Sequence, residues 1–146
     1  MAHLINRIEN GAESSYGLFK KNEDKINNQP IKIMSFITRR ILQSINYHKI
    51  AKTRVENFKY LHSKLATTNR LDLNLGIVSV PMTYPYLSDR SGLKSKLIKN
   101  KIFIPTYWPN VLRWCKPATF EYELASNLVC LPIDQRQSKY HLDQIL

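Results

Sequence analysis

At 146 residues the chain suffices for one domain with a modest core, and a hydrophobic share of 43% excludes a disordered tail as its overall description. Lys and Arg total 22 against 11 acids, a formal charge of +11, so a polyanionic partner has to be weighed. The only cysteines, Cys115 and Cys130, form no CxxC pair and have no histidine at ligand spacing, which argues against a disulfide scaffold and a zinc site.

Residues 4–20 show a weak helical pattern, with Leu4, Ile5 and Ile8 early and Leu18 and Phe19 late, interrupted by Gly11 and Gly17. Residues 22–32 read as a polar linker containing Pro30. Residues 1–34 together are expected to be a weakly helical connecting segment, and residues 35–146 the main domain.

Ser35 can cap a helix that carries Ile37, Ile41, Leu42 and Ile45 at helical spacing. A second phase follows through Ile50, Val55, Phe58, Leu61 and Leu65. If the two are continuous, Ser35 to about Thr67 is one long helix of roughly 45 Å, with Ser44 to Asn46 the place for a bend. Its cations, Lys49, Lys52, Arg54, Lys59 and Lys64, are interleaved with apolar residues rather than run together. That pattern suits a solvated helix face and leaves an anion-binding surface as the alternative.

Ile77 to Tyr84 reads as a strand, and Pro81 and Pro85 argue for an edge position. Ser88 and Asp89 can cap the next helix, through Leu93, Leu97 and Ile98, which Asn100 can end. Ile102-Phe103-Ile104 is then a short unbroken apolar run, expected to be a strand buried on both faces. It leads into Pro105-Thr106-Tyr107-Trp108-Pro109, where two rings with polar tips sit between two prolines. Those rings either line a cleft or cap the core.

Val111, Leu112 and Trp114 give a helical turn, Tyr122, Leu124 and Ala125 another, and Leu128 to Leu131 a third strand stopped by Pro132. Residues 134–138 form a polar turn, and Leu142, Ile145 and Leu146 supply the face of a terminal helix. The order predicts an α+β fold: a small, mainly antiparallel three-stranded sheet with helices packed on it, preceded by one long helix.

Familiar catalytic devices are missing from this pattern. The four glycines fit neither a P-loop nor GxGxxG, no GxSxG elbow occurs, and His3, His48, His62 and His141 are too dispersed to hold one metal. Every lysine has polar neighbours or lies on an outer helix face, so none is marked as a Schiff-base former. No segment reaches the length of a membrane span and the N-terminus lacks a leader's apolar core, so the reading is a cytoplasmic chain with no membrane partner.

From Ser35 to the C-terminus, the ordered set Arg54-Val55-Glu56-Asn57-Phe58-Lys59-Tyr60-Leu61, Val80-Pro81-Met82-Thr83-Tyr84-Pro85, residues 101–109, Tyr122-Glu123-Leu124-Ala125-Ser126-Asn127 and Leu131-Pro132-Ile133-Asp134-Gln135-Arg136 resembles the C-terminal small domain of the DegT/DnrJ/EryC1/StrS aminotransferases. These are fold-type I enzymes dependent on pyridoxal phosphate, and the likeness covers roughly three-quarters of the chain. It implies a large cofactor-binding domain, missing here or separately encoded, and a homodimer of the full-length protein. It gives no residue of this chain as the cofactor lysine or as a catalytic residue.

The chain then reads as a truncated or split C-terminal piece that binds no cofactor and performs no transamination alone. By the same resemblance Tyr107 and Trp108 would line the substrate cleft. Arg136, in the turn after the last strand, would offer a planar fork to a phosphate or carboxylate, unless it is simply a solvated turn residue. The rival reading is a basic binding or interaction module for a polyanion or a separate partner domain, with nucleic acid disfavoured by the scattered cations. A third is an interaction remnant whose uncovered apolar surface promotes self-association.

Overall fold

The structure, a computed structural model, describes residues 2–26, 29–74, 76, 79–90 and 92–146. By internal contacts the chain divides into Met1–Ile45 and Asn46–Leu146. No helix among the described residues is long and apolar enough to cross a membrane.

In the first unit, α1 (Ala2–Ile26) is interrupted at Gly11, whose φ of 84° and ψ of 172° are non-helical. In a straight helix His3 and Phe19 would stand about 24 Å apart. At this kink they meet instead edge to face, with ring centroids 5.9 Å apart. Glycine carries the left-handed φ without steric cost. The polar stretch expected to be a linker is partly helical, since α1 continues to Ile26. Next, α2 (Phe36–Gln43) is capped as expected, the Ser35 hydroxyl accepting from the Thr38 amide at 3.1 Å.

The single long helix does not form. Ser44 closes α2, its hydroxyl donating to the Ile41 carbonyl at 2.7 Å, and Asn46 caps α3 (Tyr47–Leu65) by accepting from the Lys49 amide at 2.9 Å. Two short polar side chains thus offer the backbone alternatives to helical bonding, one ending a helix and the other starting the next.

In the second unit α3 is followed by a 3₁₀ turn (Ala66–Thr68), and then β1 (Thr83–Tyr86) pairs antiparallel with β2 (Val129–Pro132), Tyr84 facing Leu131 and Tyr86 facing Val129. Of the strand expected from Ile77 to Tyr84, Thr83 and Tyr84 lie in β1 and residues 79–82 do not, while Ile77 and Val78 lie outside the described residues. Asn69 runs beside β1, donating to the Pro85 carbonyl at 2.9 Å and accepting from the Leu87 amide at 3.0 Å. Phe58 and Leu61 of α3 pack with Tyr84, Leu131, Ile133 and Leu142 in the core.

The sheet has two strands among the described residues, not three. The missing one is Ile102–Ile104. Here α4 (Leu93–Lys99) ends in a Schellman motif: Lys101 takes a φ of 62°, its amide bonds the Ile98 carbonyl and the Ile102 amide bonds the Leu97 carbonyl, both at 2.9 Å. The Ile102 donor is spent on the helix end, and Pro105 has none. Ile104 is buried but Phe103 is 53% exposed, so the run is an extended plug with one side in the core.

The left-handed residue at this end is Lys101 rather than Asn100, which bonds the Lys96 carbonyl through its side chain. At the other end α4 starts after Gly92, with a φ of 76°, while the Ser88 hydroxyl accepts from the Arg90 amide within the preceding turn. The later elements follow the expected order: α5 (Val111–Trp114), α6 (Phe120–Asn127) capped by Thr119, β2, and α7 (Lys139–Asp143) capped by Ser138. Among the described residues the second unit is α+β, with helices packed on a two-stranded ribbon.

Candidate functional site

Past the Schellman turn the chain carries Tyr107 and Trp108 outward, their ring centroids 5.6 Å apart at an angle of 46°. Trp108 has a φ of 49°, a region that bulky side chains rarely adopt, and is 66% exposed. The Trp108 carbonyl accepts from the Val111 amide at 3.0 Å and starts α5. A strained backbone is thus built into the start of a helix and holds a large ring toward solvent.

These rings border a cavity of about 220 Å³. Val111 continues their wall, α6 supplies Glu121, Leu124 and Ala125, Leu128 follows at its C-cap, and Cys130 of β2 closes it. The three α6 positions step by three and one, one helical face. Arg70 pairs with Glu123 on α6, and with Asp89 at 3.3 Å, tying that helix to the loops beside β1. Burial pushes the Cys130 thiol up, against a hydrogen bond from Thr83 and the charge of Lys94, so it is kept protonated at neutral pH. Among the described residues Glu121 is the only charged side chain in this otherwise mainly apolar wall.

Tyr107 and Trp108, whose pattern leaves open a cleft wall or a core cap, border this cavity, and Glu121 and Leu128, which nothing in the pattern singles out, are their neighbours. The available signal is the spacing Glu121, Leu124, Ala125, although local pattern assigns Leu124 and Ala125 to a helical turn and Leu128 to the following strand. Arg136 is not among the residues lining the cavity. Its guanidinium grips the carboxylate of Asp134, Nε to Oδ1 at 2.8 Å and Nη2 to Oδ2 at 3.2 Å, so its fork is occupied by its own turn.

That pairing, opposed by burial, holds the Asp134 carboxyl at about 2, below its ordinary 3.8. A carboxyl depressed in the folded state stabilises above its unfolded pKa, and the contribution is lost as pH falls through the folded value. Discounted for the exposed arginine, it amounts to on the order of 1 kcal/mol, disappearing between about pH 4 and about pH 2. Urea midpoints across that window should show the acid-side loss shrink in Arg136→Ala. An unchanged profile would remove Asp134 as its source.

Among the described residues the cavity wall offers no lysine and no cation to hold a phosphate. Lys94, whose ammonium burial pushes down, stands instead with its Nζ on the Thr106 hydroxyl. The residues present do not fit pyridoxal phosphate, and no step runs through it. Among the described residues there is also no cluster of His, Cys, Asp or Glu able to hold a metal. The arrangement can do binding chemistry: flat faces for stacking, an apolar floor, and one carboxylate to accept hydrogen bonds.

No protein family, curated protein or solved structure matches the chain.

Proposed function

We propose that this chain contributes the small domain of a sugar-aminotransferase-like protein dependent on pyridoxal phosphate, a substrate-binding wall whose reacting groups lie on another stretch of protein. The reading rests on the ordered resemblance from Ser35 onward. The observation that carries it is the Tyr107–Trp108 corner, placed at the mouth of an apolar cavity that Glu121 also lines. The unpaired Cys115 and Cys130 agree with a reducing, cytoplasmic setting.

A nucleoside-diphosphate hexose titrated into the protein should change the tryptophan fluorescence, and Trp108→Gly should weaken binding about tenfold, the scale of one lost aromatic stack. Glycine also relieves the positive φ, so the variant's thermal midpoint should not fall. Binding indifferent to Trp108 would overturn the site. A stable internal-aldimine absorbance band formed with one equivalent of pyridoxal phosphate would overturn the claim that the reacting groups lie elsewhere.

A second reading has one observation in its favour: Lys49, Lys52, Lys59 and Lys64 are all exposed on α3. Single-stranded DNA in the same titration separates the two, since a polyanion surface would bind it with strong salt dependence and without regard to Trp108.

A further inference from the structure

We propose that residues 30–45 are a lipid-docking element that lies on an anionic membrane surface. This goes beyond the cavity reading and does not depend on it. Between Asp24 and Glu56 the sequence contains no acidic residue. Within that stretch Ile31 is 104% exposed, Ile33 92%, Phe36 76%, Ile37 70% and Ile41 59%. Lys32, Arg39 and Arg40 are exposed beside them.

Among the described residues of the first unit only Ser15 is buried, so these side chains are not held back in a core of their own. Apolar groups interleaved with cations, free of acids, match an interface that is apolar below and anionic above. The Arg40 guanidinium stands 6.0 Å from the Phe36 ring centroid, which pairs a charge for the headgroups with a ring for the acyl boundary.

The alternatives fit less well. A second copy would set Lys32, Arg39 and Arg40 against the same cations if the patch faced itself. A helix-binding protein groove reads anchors spaced i, i+3, i+4, i+7 along one stripe, whereas Ile31 and Ile33 precede α2 in non-helical chain and Phe36 shares the arginine side. A lipid interface demands no such register. Nor does it demand the length of a span: α2, at eight residues, extends about 12 Å where a bilayer core needs about 30 Å. The Ser35 cap preforms the helix, so less ordering is left to occur at the surface.

The test is co-sedimentation of the whole chain with vesicles of phosphatidylcholine alone, or containing about one-third phosphatidylserine, a composition that carries the anionic potential. Binding should require phosphatidylserine and weaken with salt. Arg39→Glu with Arg40→Glu should reduce it at least tenfold, each lost cation being worth about fivefold. Ile37→Asp with Ile41→Asp should reduce it comparably, while the urea midpoint of the second unit stays put. Three results would each overturn the proposal: equal binding to neutral vesicles, anionic binding indifferent to the isoleucine changes, or capture by an acidic helix-binding protein with no vesicle binding.

Discussion

Leu61→Ala should cost the Asn46–Leu146 unit about 2–5 kcal/mol, a large part of the 5–15 kcal/mol by which a domain is ordinarily stable. Leu61 has no exposed surface, and it belongs to the cluster that joins α3 to both strands through Tyr84, Leu131 and Ile133. Truncation removes apolar burial and leaves a void that the sheet cannot fill without giving up its register. Tyr84 is also held from the side, its ring centroid 4.9 Å from that of Phe58 at a tilt of 59° and its hydroxyl 3.3 Å from His62 Nδ1, which limits collapse into the gap. Urea unfolding followed by circular dichroism would read the loss. A cost below about 1 kcal/mol, the level typical of surface sites, would mean that the α3 and sheet layers do not share this core.

The second large effect belongs to Asn57, a buried polar side chain on α3. Its amide nitrogen faces three carbonyls, Ile133 and Asp134 at 3.2 Å and Gln137 at 3.3 Å, and so ties α3 to the turn after β2. Asn57→Ala should cost about 1–3 kcal/mol, because buried carbonyls lose a donor. Asn57→Asp should cost more, about 3–5 kcal/mol, because it sets a carboxylate among acceptors in a desolvated site. That aspartate's pKa would be raised in the folded state, so the penalty exists above the unfolded value and relaxes as pH falls. Parallel urea titrations of the two variants near pH 4 and pH 7 would check the ranking and the sign. An aspartate variant as stable as the alanine one would show that the carbonyls find another donor.

Asn57 is instructive because the sequence displays it inside a helix with an apolar stripe, where nothing marks it as a tether. Its partners lie 76 to 80 residues further along, beyond any local pattern. The local signals were read where the physics is local. Ser35 heads a helix, Val129 to Leu131 form a strand that stops at Pro132, and the polar residues 134–138 turn. Each follows from bonds made within a few residues.

The errors have the opposite character. Ile102-Phe103-Ile104 is as apolar as a buried strand, yet a strand exists only where a neighbour accepts its ladder, and the Schellman end of α4 had already taken the Ile102 amide. Ser35 to Thr67 had the helical period throughout, but period alone cannot show that Ser44 and Asn46 will turn their side chains onto the backbone and divide it. The cavity wall was half legible: the two prolines marked Tyr107 and Trp108 as a stiff corner, while α6 joined them only through packing.

The amino-acid order by itself therefore determined the Ser35 cap, the turn after Pro132, the aromatic corner and the acid-free stretch before Glu56, because capping, proline stiffness and charge act over a few residues. The tertiary structure alone decided which apolar run became a strand, what Asn57 holds, and which helix face completes the cavity. Those outcomes depend on hydrogen-bond partners and packing surfaces that distant segments bring together.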